Sequence, residues 1–456
     1  MQLRPSPLVR GAVGGEGCSQ EQQIQSSGWL ASLAVYREPR LIAILLMGFA
    51  SGLPLPLTFA TLSFWLSEIG VSRTSIGLFA LVGVSYSMKF LWSPAIDRLP
   101  LPLLTARLGR RRGWALAIQP ALALAILALG LTDPRSDPGS TALAAVIVAF
   151  LSASQDIVID AYRIELLRPE EQGAGAAATQ WGYRFGMLAA SAGALYAASF
   201  GGWGFAYAVM AGLMMVGIGA VWFTREPGGN HPPELLPAGS APTRIGAWLE
   251  GAVLAPFADI LTRRGALAIL VFVVLYKFGD ALAATMSNPL YVTLGFTKVE
   301  VANIGKAYGF LASLAGLAAG GVVVLRIGVF PALLVCGVLQ MLSNLMYVVQ
   351  AWVGHDLATL ALTIGVENLT GGMGSAAFVA YLSGLCNISF TATQYALLTS
   401  LAAIGRTTLS ASGGALADMV GWSPFFILAT AACLPGLAVL IWIMRLGPSL
   451  PRTADP

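Results

Sequence analysis

The sequence predicts an all-α membrane protein in which two six-helix bundles provide twelve transmembrane helices. The first observation is composition, since apolar residues make up 56% of the 456 residues and only 11% are charged. In soluble domains about a quarter of the residues are charged. The second is length, because apolar runs close to the roughly 20 residues that cross a bilayer recur along the chain. The third is arrangement: a polar stretch rich in proline and glycine separates six runs from the other six.

The predicted spans divide the chain into five parts. The spans cover residues 41–67, 75–95, 113–132, 141–163, 178–199, 203–224, 266–293, 301–323, 329–351, 357–385, 392–417 and 423–445. The five parts are a disordered N-terminal tail over 1–40, a first bundle over 41–224, a linker over 225–265, a second bundle over 266–445 and a C-terminal tail over 446–456. The linker ends in an amphipathic piece, 245–260, which we expect to lie on the membrane surface.

Positive charge is unevenly distributed between the two sides of the predicted membrane. The loops on one side hold only Arg73, Arg135 and Lys298, whereas the segments on the side of the two termini hold most of the arginines. Because basic residues are enriched in cytoplasmic loops, both termini are expected to be cytoplasmic. The net charge of +4 therefore reflects topology and does not indicate a nucleic-acid partner.

Cysteine and histidine provide little material for metal or nucleophilic chemistry. Three cysteines, Cys336, Cys386 and Cys433, fall within apolar runs, and no pair of cysteines has the spacing of metal ligands. Both histidines fall in loops. We therefore expect no enzyme, no metal site and no cofactor.

The two halves of the sequence match each other in several places. Residues 43–45 and 268–270 both read Ala-Ile-Leu, and residues 178–180 and 392–394 both read Ala-Thr-Gln. The matches come in the same order, which indicates duplication. Two parallel six-helix halves are the layout of major facilitator transporters, which bind substrate between the halves near the middle of the membrane.

Glycine and proline interrupt two of the predicted spans. The first span contains Gly48, Gly52, Pro54 and Pro56, and the tenth contains a glycine-rich stretch over 371–374. Proline inside a helix removes a backbone hydrogen bond, and such breaks are tolerated in a membrane where protein or a water-filled cavity satisfies the freed groups. The pattern fits either close helix packing through small residues or a gating and cavity-lining role.

Lys306 lies near the outer end of the eighth predicted span, and nine other charged side chains fall deeper inside the spans. Each would cost about 2.5–3.5 kcal/mol at the bilayer centre, so we expect them to face the interior of the bundle. They are Lys89, Asp156, Asp160, Arg163, Arg184, Lys277, Asp280, Glu367 and Arg406.

The spacing of these charges predicts some of their partners. Asp156, Asp160 and Arg163 share one helix face, and Asp160 can reach Arg163 at i, i+3, which favours a structural pair. Asp156 has no local partner, so it is either structural or a proton carrier. Lys277 and Asp280 are also spaced i, i+3, as a structural pair or a coupling site.

The remaining spans hold one further acid and three cations. Glu367 is a third candidate proton carrier. The cations Lys89, Arg184 and Arg406 have no acidic residue at i±3 or i±4, and unpaired cations facing a cavity would attract an anionic substrate.

The sequence resembles AmpG-type muropeptide permeases, which are major facilitator members of Gram-negative inner membranes. The resemblance covers nearly the whole membrane region. The matching stretches are 48–54, 89–94 with Asp97 and Arg98, 109–114, 152–163, 173–176, 182–187, 275–280, Glu367 and Asn368 with 371–374, and 392–394.

The resemblance implies proton-driven import of N-acetylglucosamine–1,6-anhydro-N-acetylmuramic acid, with or without its peptide, for peptidoglycan recycling. In many relatives these ligands also control β-lactamase induction. The expected partners are this glycopeptide, protons and the lipid bilayer, with the proton gradient as energy source, and we expect a monomer. The candidate substrate-binding residues are Lys89, Gln155, Tyr183, Arg184, Lys277, Asn368, Gln394 and Arg406.

One further resemblance concerns gating. Asp97 and Arg98, followed by Arg110 and Arg111, are similar to the superfamily loop between the second and third helices, which helps to stabilise the outward-open state. Here residues 99–109 separate the two parts. Two other functions share the architecture: transport of another bulky anion such as an acyl-CoA, and pigment or lipid assembly without transport.

Overall fold

The computed structural model describes residues 31–70, 80–227, 253–297, 300–301, 303–410 and 412–446, and all regular structure in these ranges is helical. Most of both predicted tails and of the predicted linker lies outside the described residues, as does much of the predicted surface piece 245–260. The helices of the first half are α1 Pro39–Gly52, α2 Pro54–Thr58, α3 Ala60–Glu68, α4 Val84–Ser87, α5 Ser93–Arg98, α6 Leu104–Leu108, α7 Arg110–Gly130, α8 Pro138–Leu166, α9 Gln172–Leu188, α10 Ala194–Leu213 and α11 Met215–Phe223.

The second half of the described chain is built from a similar succession of long and broken helices. A short helix from the linker, α12 Ala255–Leu261, precedes it. The others are α13 Ala266–Leu275, α14 Phe278–Thr293, α15 Gly309–Ile327, α16 Val329–Ser343, α17 Leu345–Val353, α18 Leu357–Gly384, α19 Thr391–Ser410, α20 Gly413–Val420, α21 Trp422–Ala431 and α22 Leu434–Leu446.

The number of membrane spans differs from the sequence-based count. Within the described ranges, eight helices are long and apolar enough to cross a membrane, or up to nine if the bent pair Leu357–Gly384 and Ile388–Val420 is one span. One of the eight is a 55-residue helical stretch, Pro169–Phe223, which leaves helical geometry at Gly202 with φ 78° and ψ 176°. Glycine adopts a positive φ without steric cost, which explains why the break occurs at this residue. Gly202 lies between the predicted spans 178–199 and 203–224. The count of twelve stays a prediction.

The helix that carries Arg184 begins before the predicted start of the fifth span. The sequence places the start of the fifth span at residue 178, but α9 begins at Gln172, directly after a turn of 3₁₀-helix. Arg184 therefore lies about three helical turns from the start of α9, well inside the bundle.

Close glycine contacts join α1 to α9. A side chain at Gly48 would collide with the Thr179 backbone, and one at Gly52 would collide with the Tyr183 backbone. In return, Gly182 of α9 lies against the backbone of α1 at Leu45. Of the two interpretations of Gly48 and Gly52, the structure therefore supports close packing through small residues.

Pro54 marks a bend in the first span. It is the first residue of α2, where a missing N–H leaves no broken bond. The Thr58 hydroxyl donates to the carbonyl oxygens of Pro54 and Leu55 at 3.2 and 3.1 Å, which satisfies groups freed by the bend. The backbone departs from helical geometry at Phe59, with φ −121° and ψ −91°.

The two halves of the chain meet along α9 and α15. The Trp181 indole donates to the Leu314 carbonyl at 2.8 Å. Tyr36 stacks on Trp181 with ring centroids 5.3 Å apart and donates to the Ala318 carbonyl at 3.3 Å. These contacts fix α9, which carries Arg184, against the second half.

We expect Gly48→Ala to lower the free energy of unfolding by about 1–3 kcal/mol, because the added methyl group overpacks the contact between α1 and α9. The matched control is Gly212→Ala in α10, where an added Cβ meets no atom within 4 Å. The control should be neutral or slightly stabilising, since alanine favours helix over glycine. Thermal unfolding of both variants in detergent measures the difference, and equal melting temperatures would contradict the packing argument.

Candidate functional site

A cavity of about 880 Å³ lies among α9, α14, α15, α16, α18 and α19. Its wall combines charged side chains with amides, hydroxyls and small apolar residues. Two of its lining residues, Gln180 and Arg184, come from the first half, and the remainder come from the second half. The charged members are Arg184, Lys277, Asp280, Glu367 and Arg406.

Two of these charges form an ion pair at a break between helices. Lys277 lies between α13 and α14 with non-helical backbone angles, φ −103° and ψ 7°. Its ammonium group is 3.6 Å from the Asp280 carboxylate and donates to the Gln340 side-chain oxygen at 2.6 Å. The contact expected from the i, i+3 spacing is thus present, and Gln340 completes it.

The other three charges are less constrained. Among the described residues, neither Arg184 nor Arg406 forms a hydrogen bond or an ion pair, and Arg406 is exposed to the cavity. Glu367 accepts a hydrogen bond from the Asn368 amide at 3.1 Å, and its charge acts on Arg184. A guanidinium group can bind a carboxylate with two parallel hydrogen bonds, and both of these arginines line the cavity.

A second group of charges lies in the first half, away from this cavity. Asp156 accepts a hydrogen bond from the Ser51 hydroxyl, so its partner is on α1 and not on its own helix. Lys89 is the cation whose charge acts on both Asp156 and Asp160. Asp160 is 3.8 Å from Arg163, as the spacing predicts.

Several predicted binding residues are not among those that line the cavity. Lys89, Gln155 and Tyr183 belong to or adjoin the Asp156 group, and neither polar atom of the buried Gln155 amide has a hydrogen-bond partner among the described residues. Of the eight candidates for substrate binding, the cavity wall includes Arg184, Lys277, Asn368 and Arg406.

Gln394 is used elsewhere. Its amide oxygen accepts from the Asn387 N–H at 2.7 Å, and its amide nitrogen donates to the Asp259 carboxylate at 2.7 Å and to the Pro256 carbonyl at 3.1 Å. The structure thus places this side chain in the contact between α12 and the start of α19. The resemblance gives Gln394 as a candidate for substrate binding, and nothing in the sequence indicates its hydrogen bonds to Pro256 and Asp259.

A charge network holds the end of the bundle that carries Arg98, Arg110, Arg111 and Arg163, called here the arginine-rich end. The buried Arg111 guanidinium is 2.6 Å from both Asp97 and Glu165. Arg110 donates to the Asp97 carbonyl at 2.9 Å. The two parts of the predicted loop, Asp97 with Arg98 and Arg110 with Arg111, are therefore in contact although residues 99–109 separate them in the sequence.

The same end is tied to the second half by side chains of α5 and α8. Asp97 accepts from the Thr393 N–H at 3.1 Å and from its hydroxyl at 3.0 Å. Arg163 donates to the Ser383 hydroxyl at 3.1 Å, and its guanidinium lies 5.5 Å from the centre of the Tyr395 ring. Arg98 lies over the Phe390 ring at 4.9 Å.

Sequence reasoning missed the partners that are distant along the chain. Glu226 accepts from the N–H groups of Arg111 and Arg112 at 2.7 and 2.9 Å and so caps α7, while burial raises the pKa of its carboxyl. Its signal was an acid directly after a span. Gln340 was detectable as an isolated amide in an apolar run, whereas nothing in the spacing indicates Ser51 or Thr393.

Comparison with known proteins identifies the class to which this bundle and cavity belong. Residues 41–366 match the model of the Major Facilitator Superfamily. The fold is similar to that of the Escherichia coli fucose:proton symporter FucP, with TM-score 0.64 and 12% identity, covering 93% of this chain and all of that one. It is also similar to the proton:xylose symporter XylE, with TM-score 0.59 and 13% identity over 91% of this chain and 96% of that one. The chain is a multi-pass membrane transporter of this superfamily.

Sequence relatives define the family within the superfamily. The anhydromuropeptide permease of Escherichia coli (strain K12) is 41% identical over 411 residues, which cover 90% of this chain and 80% of that protein. The putative transporter AmpG 4 of Rickettsia felis is 35% identical over 416 residues, covering 90% and 98% respectively. The chain belongs to the AmpG-type permease family.

We expect Lys277 and Asp280 to depend on each other for stability. Removing one member of a fully buried ion pair costs about 3–5 kcal/mol because the other charge stays buried alone. The loss here should be smaller, because the side chains of Lys277 and Asp280 are 19% and 16% exposed. Lys277→Ala should destabilise more than Asp280→Ala, since Lys277 keeps Gln340 as an acceptor when Asp280 is removed. The double variant should be more stable than Lys277→Ala. Unfolding in detergent measures the cycle, and additive losses would show that the two side chains do not interact.

Proposed function

We propose that this protein is a proton-driven importer of anhydro-muropeptides across the bacterial inner membrane, acting as a monomer with both termini cytoplasmic. The observation that carries the proposal is the pair of unpaired arginines, Arg184 and Arg406, on the wall of one large cavity in an AmpG-type permease. Muropeptides carry carboxylates, so the sign of the ligand charge agrees with the sign of these side chains.

The size and chemistry of the cavity support a bulky, polar ligand. Ligand sites for molecules of drug size commonly have volumes of about 300–1,000 Å³, and this cavity, at about 880 Å³, lies in that range. Gln180, Asn368 and Thr399 contribute amide and hydroxyl groups to its wall, which suits sugar hydroxyls and peptide groups. An assembly factor that performs no transport would not require five charges around a cavity.

The proton would be carried by carboxylates that exchange between two environments. Asp280 and Glu367 line the cavity with the cations, so that binding of an anionic ligand changes the field at both. Asp156 lies in the other half, next to Ser51 and Lys89. A carboxylate inside a membrane that gains a proton on one side and loses it on the other couples transport to the gradient.

The arginine-rich end is proposed to be the cytoplasmic gate. The positive charge of the loops at this end favours a cytoplasmic position for it. The bonds of Thr393 with Asp97 and of Arg163 with Ser383 join the halves there. These bonds have to break before a ligand leaves the cavity toward the cytoplasm, which makes them part of the transport cycle.

Uptake into proteoliposomes tests the proposal directly. Labelled anhydro-muropeptide should accumulate when a proton gradient is imposed and should only equilibrate without one. An acyl-CoA of similar size and charge is the matched alternative ligand. Accumulation of the acyl-CoA alone would contradict the muropeptide assignment, and transport that ignores the gradient would contradict proton coupling.

We expect Asp156→Asn to fold and to reach the membrane but to weaken accumulation driven by the gradient. The substitution removes the charge change of the carboxyl with little change in volume, and the amide still accepts a hydrogen bond from Ser51. Uptake at external pH from about 5 to 8 measures the effect. If the variant and the wild type accumulate ligand equally across this range, Asp156 is not a coupling site.

We expect Arg184→Lys and Arg406→Lys to raise the half-saturation concentration more for peptide-bearing muropeptides than for the bare disaccharide. Lysine keeps the charge but loses the planar fork that binds a carboxylate with two hydrogen bonds. Loss of one such bond, at roughly 1.5 kcal/mol, corresponds to an increase of about tenfold. Uptake kinetics with both ligands decide, and equal losses would remove the peptide carboxylate as the partner.

A further inference from the structure

A second cavity of about 790 Å³ adjoins the charged one, and its wall is mostly apolar. It lies between the bent first span, α9 and the start of α15. The apolar wall, called here the apolar compartment, is formed chiefly by Leu55, Pro56, Phe59, Leu188, Leu195 and Phe310. The proposed function does not require this compartment, because the charged cavity alone is large enough for a ligand site.

The two cavities share two lining residues. Arg184 of α9 and Asn368 of α18 line both of them. Arg184 belongs to the first half and Asn368 to the second, so the part of the wall that the cavities share comes from both halves. The Asn368 amide nitrogen donates to the Ile364 carbonyl at 2.9 Å and to Glu367 at 3.1 Å, which leaves its carbonyl oxygen available to a ligand.

Each half contributes one aromatic ring to the wall of the apolar compartment. Phe59 lies at the bend between α2 and α3, where its N–H donates to the Pro56 carbonyl at 3.2 Å. Phe310 lies in the first turn of α15, edge-on to Phe185 with ring centroids 5.8 Å apart. Both phenylalanines are half-buried, so each retains surface that a ligand can cover.

We propose that the transported ligand spans both cavities, with its sugar rings in the apolar compartment against Phe59 and Phe310 and its charged part, the peptide or the free lactyl carboxylate of the bare disaccharide, in the cavity of Arg406 and Lys277. This inference rests on the proposed function and adds the orientation of the ligand and two specificity-determining residues to it.

The orientation follows from the chemistry of each end. One face of a pyranose ring consists of C–H groups that pack well on an aromatic ring, and the acetyl methyl groups are apolar as well. The peptide carries carboxylates and an amine, which need cationic and anionic partners respectively. Of the two cavities, only the charged one has acidic as well as basic side chains among the described residues that line it. The sugar hydroxyls would then meet Asn368 and Ser191, while Arg184, which lines both cavities, would stay with the peptide carboxylates of the charged cavity.

The test compares uptake of the bare anhydro-disaccharide with uptake of its peptide-bearing form. Phe59→Leu and Phe310→Leu should raise the half-saturation concentration of both ligands by the same factor, about two- to tenfold, because both ligands contain the sugars. Phe59→Tyr should keep wild-type values for both ligands, since it retains the aromatic face. The matched control is Phe200→Leu, a residue 87% exposed and outside both cavities, which should leave both values unchanged.

The outcomes separate this inference from the function on which it rests. A wild type that imports neither ligand would overturn the proposed function and this inference with it. A wild type that imports both, with Phe59→Leu and Phe310→Leu unaltered, would overturn the orientation alone, as would a loss confined to the peptide-bearing form. If Phe59→Leu is absent from the membrane, Phe310→Leu tests the orientation, and the reverse holds as well. Phe59→Tyr then shows whether an aromatic side chain at residue 59 preserves uptake of both ligands.

Discussion

A charge that leaves water for the interior of a membrane protein has to find a partner or a polar cavity, because an isolated ion in a medium of low dielectric is very costly. This requirement sorts the ionisable side chains of this chain into two groups. Arg111 is fully buried and forms ion pairs with both Asp97 and Glu165, so its charge has a structural role. Arg406 has no such partner among the described residues and faces a cavity, so its charge is available to a ligand.

Close helix packing determines where the cavity-lining charge of Arg184 is held. Glycines let α1 and α9 approach until backbone meets backbone, and α9 in turn packs on α15 through Trp181 and Leu314. Arg184 is carried on this same helix, between one neighbour in its own half and one in the other. A relative movement of the halves would therefore move Arg184 relative to the lining residues of the second half, Lys277 and Arg406.

The start of α19 links three parts of the chain in a similar way. Thr393 is bound by Asp97 of the first half, while its neighbour Gln394 is bound by Asp259 of the linker helix. Breaking the first contact would leave the second intact. The linker helix thus belongs mechanically to the second half at this point, although its sequence suggested only a piece lying on the membrane surface.

The sequence by itself determined the helical membrane class, the bend of the first span at Pro54 and the ion pairs between neighbouring turns. It did not show that the glycine-rich stretch 371–374 lies inside the unbroken helix α18. Asp160 with Arg163 and Lys277 with Asp280 follow from spacing, because one helix geometry fixes which residues share a face. Only the tertiary structure decided the depth of Arg184, the hydrogen bond from Ser51 to Asp156 and the contact of Thr393 with Asp97. These join residues 105 and 296 positions apart. The physical reason is that helix periodicity is local, whereas the partner of a buried polar group is set by which helices pack together and at what height.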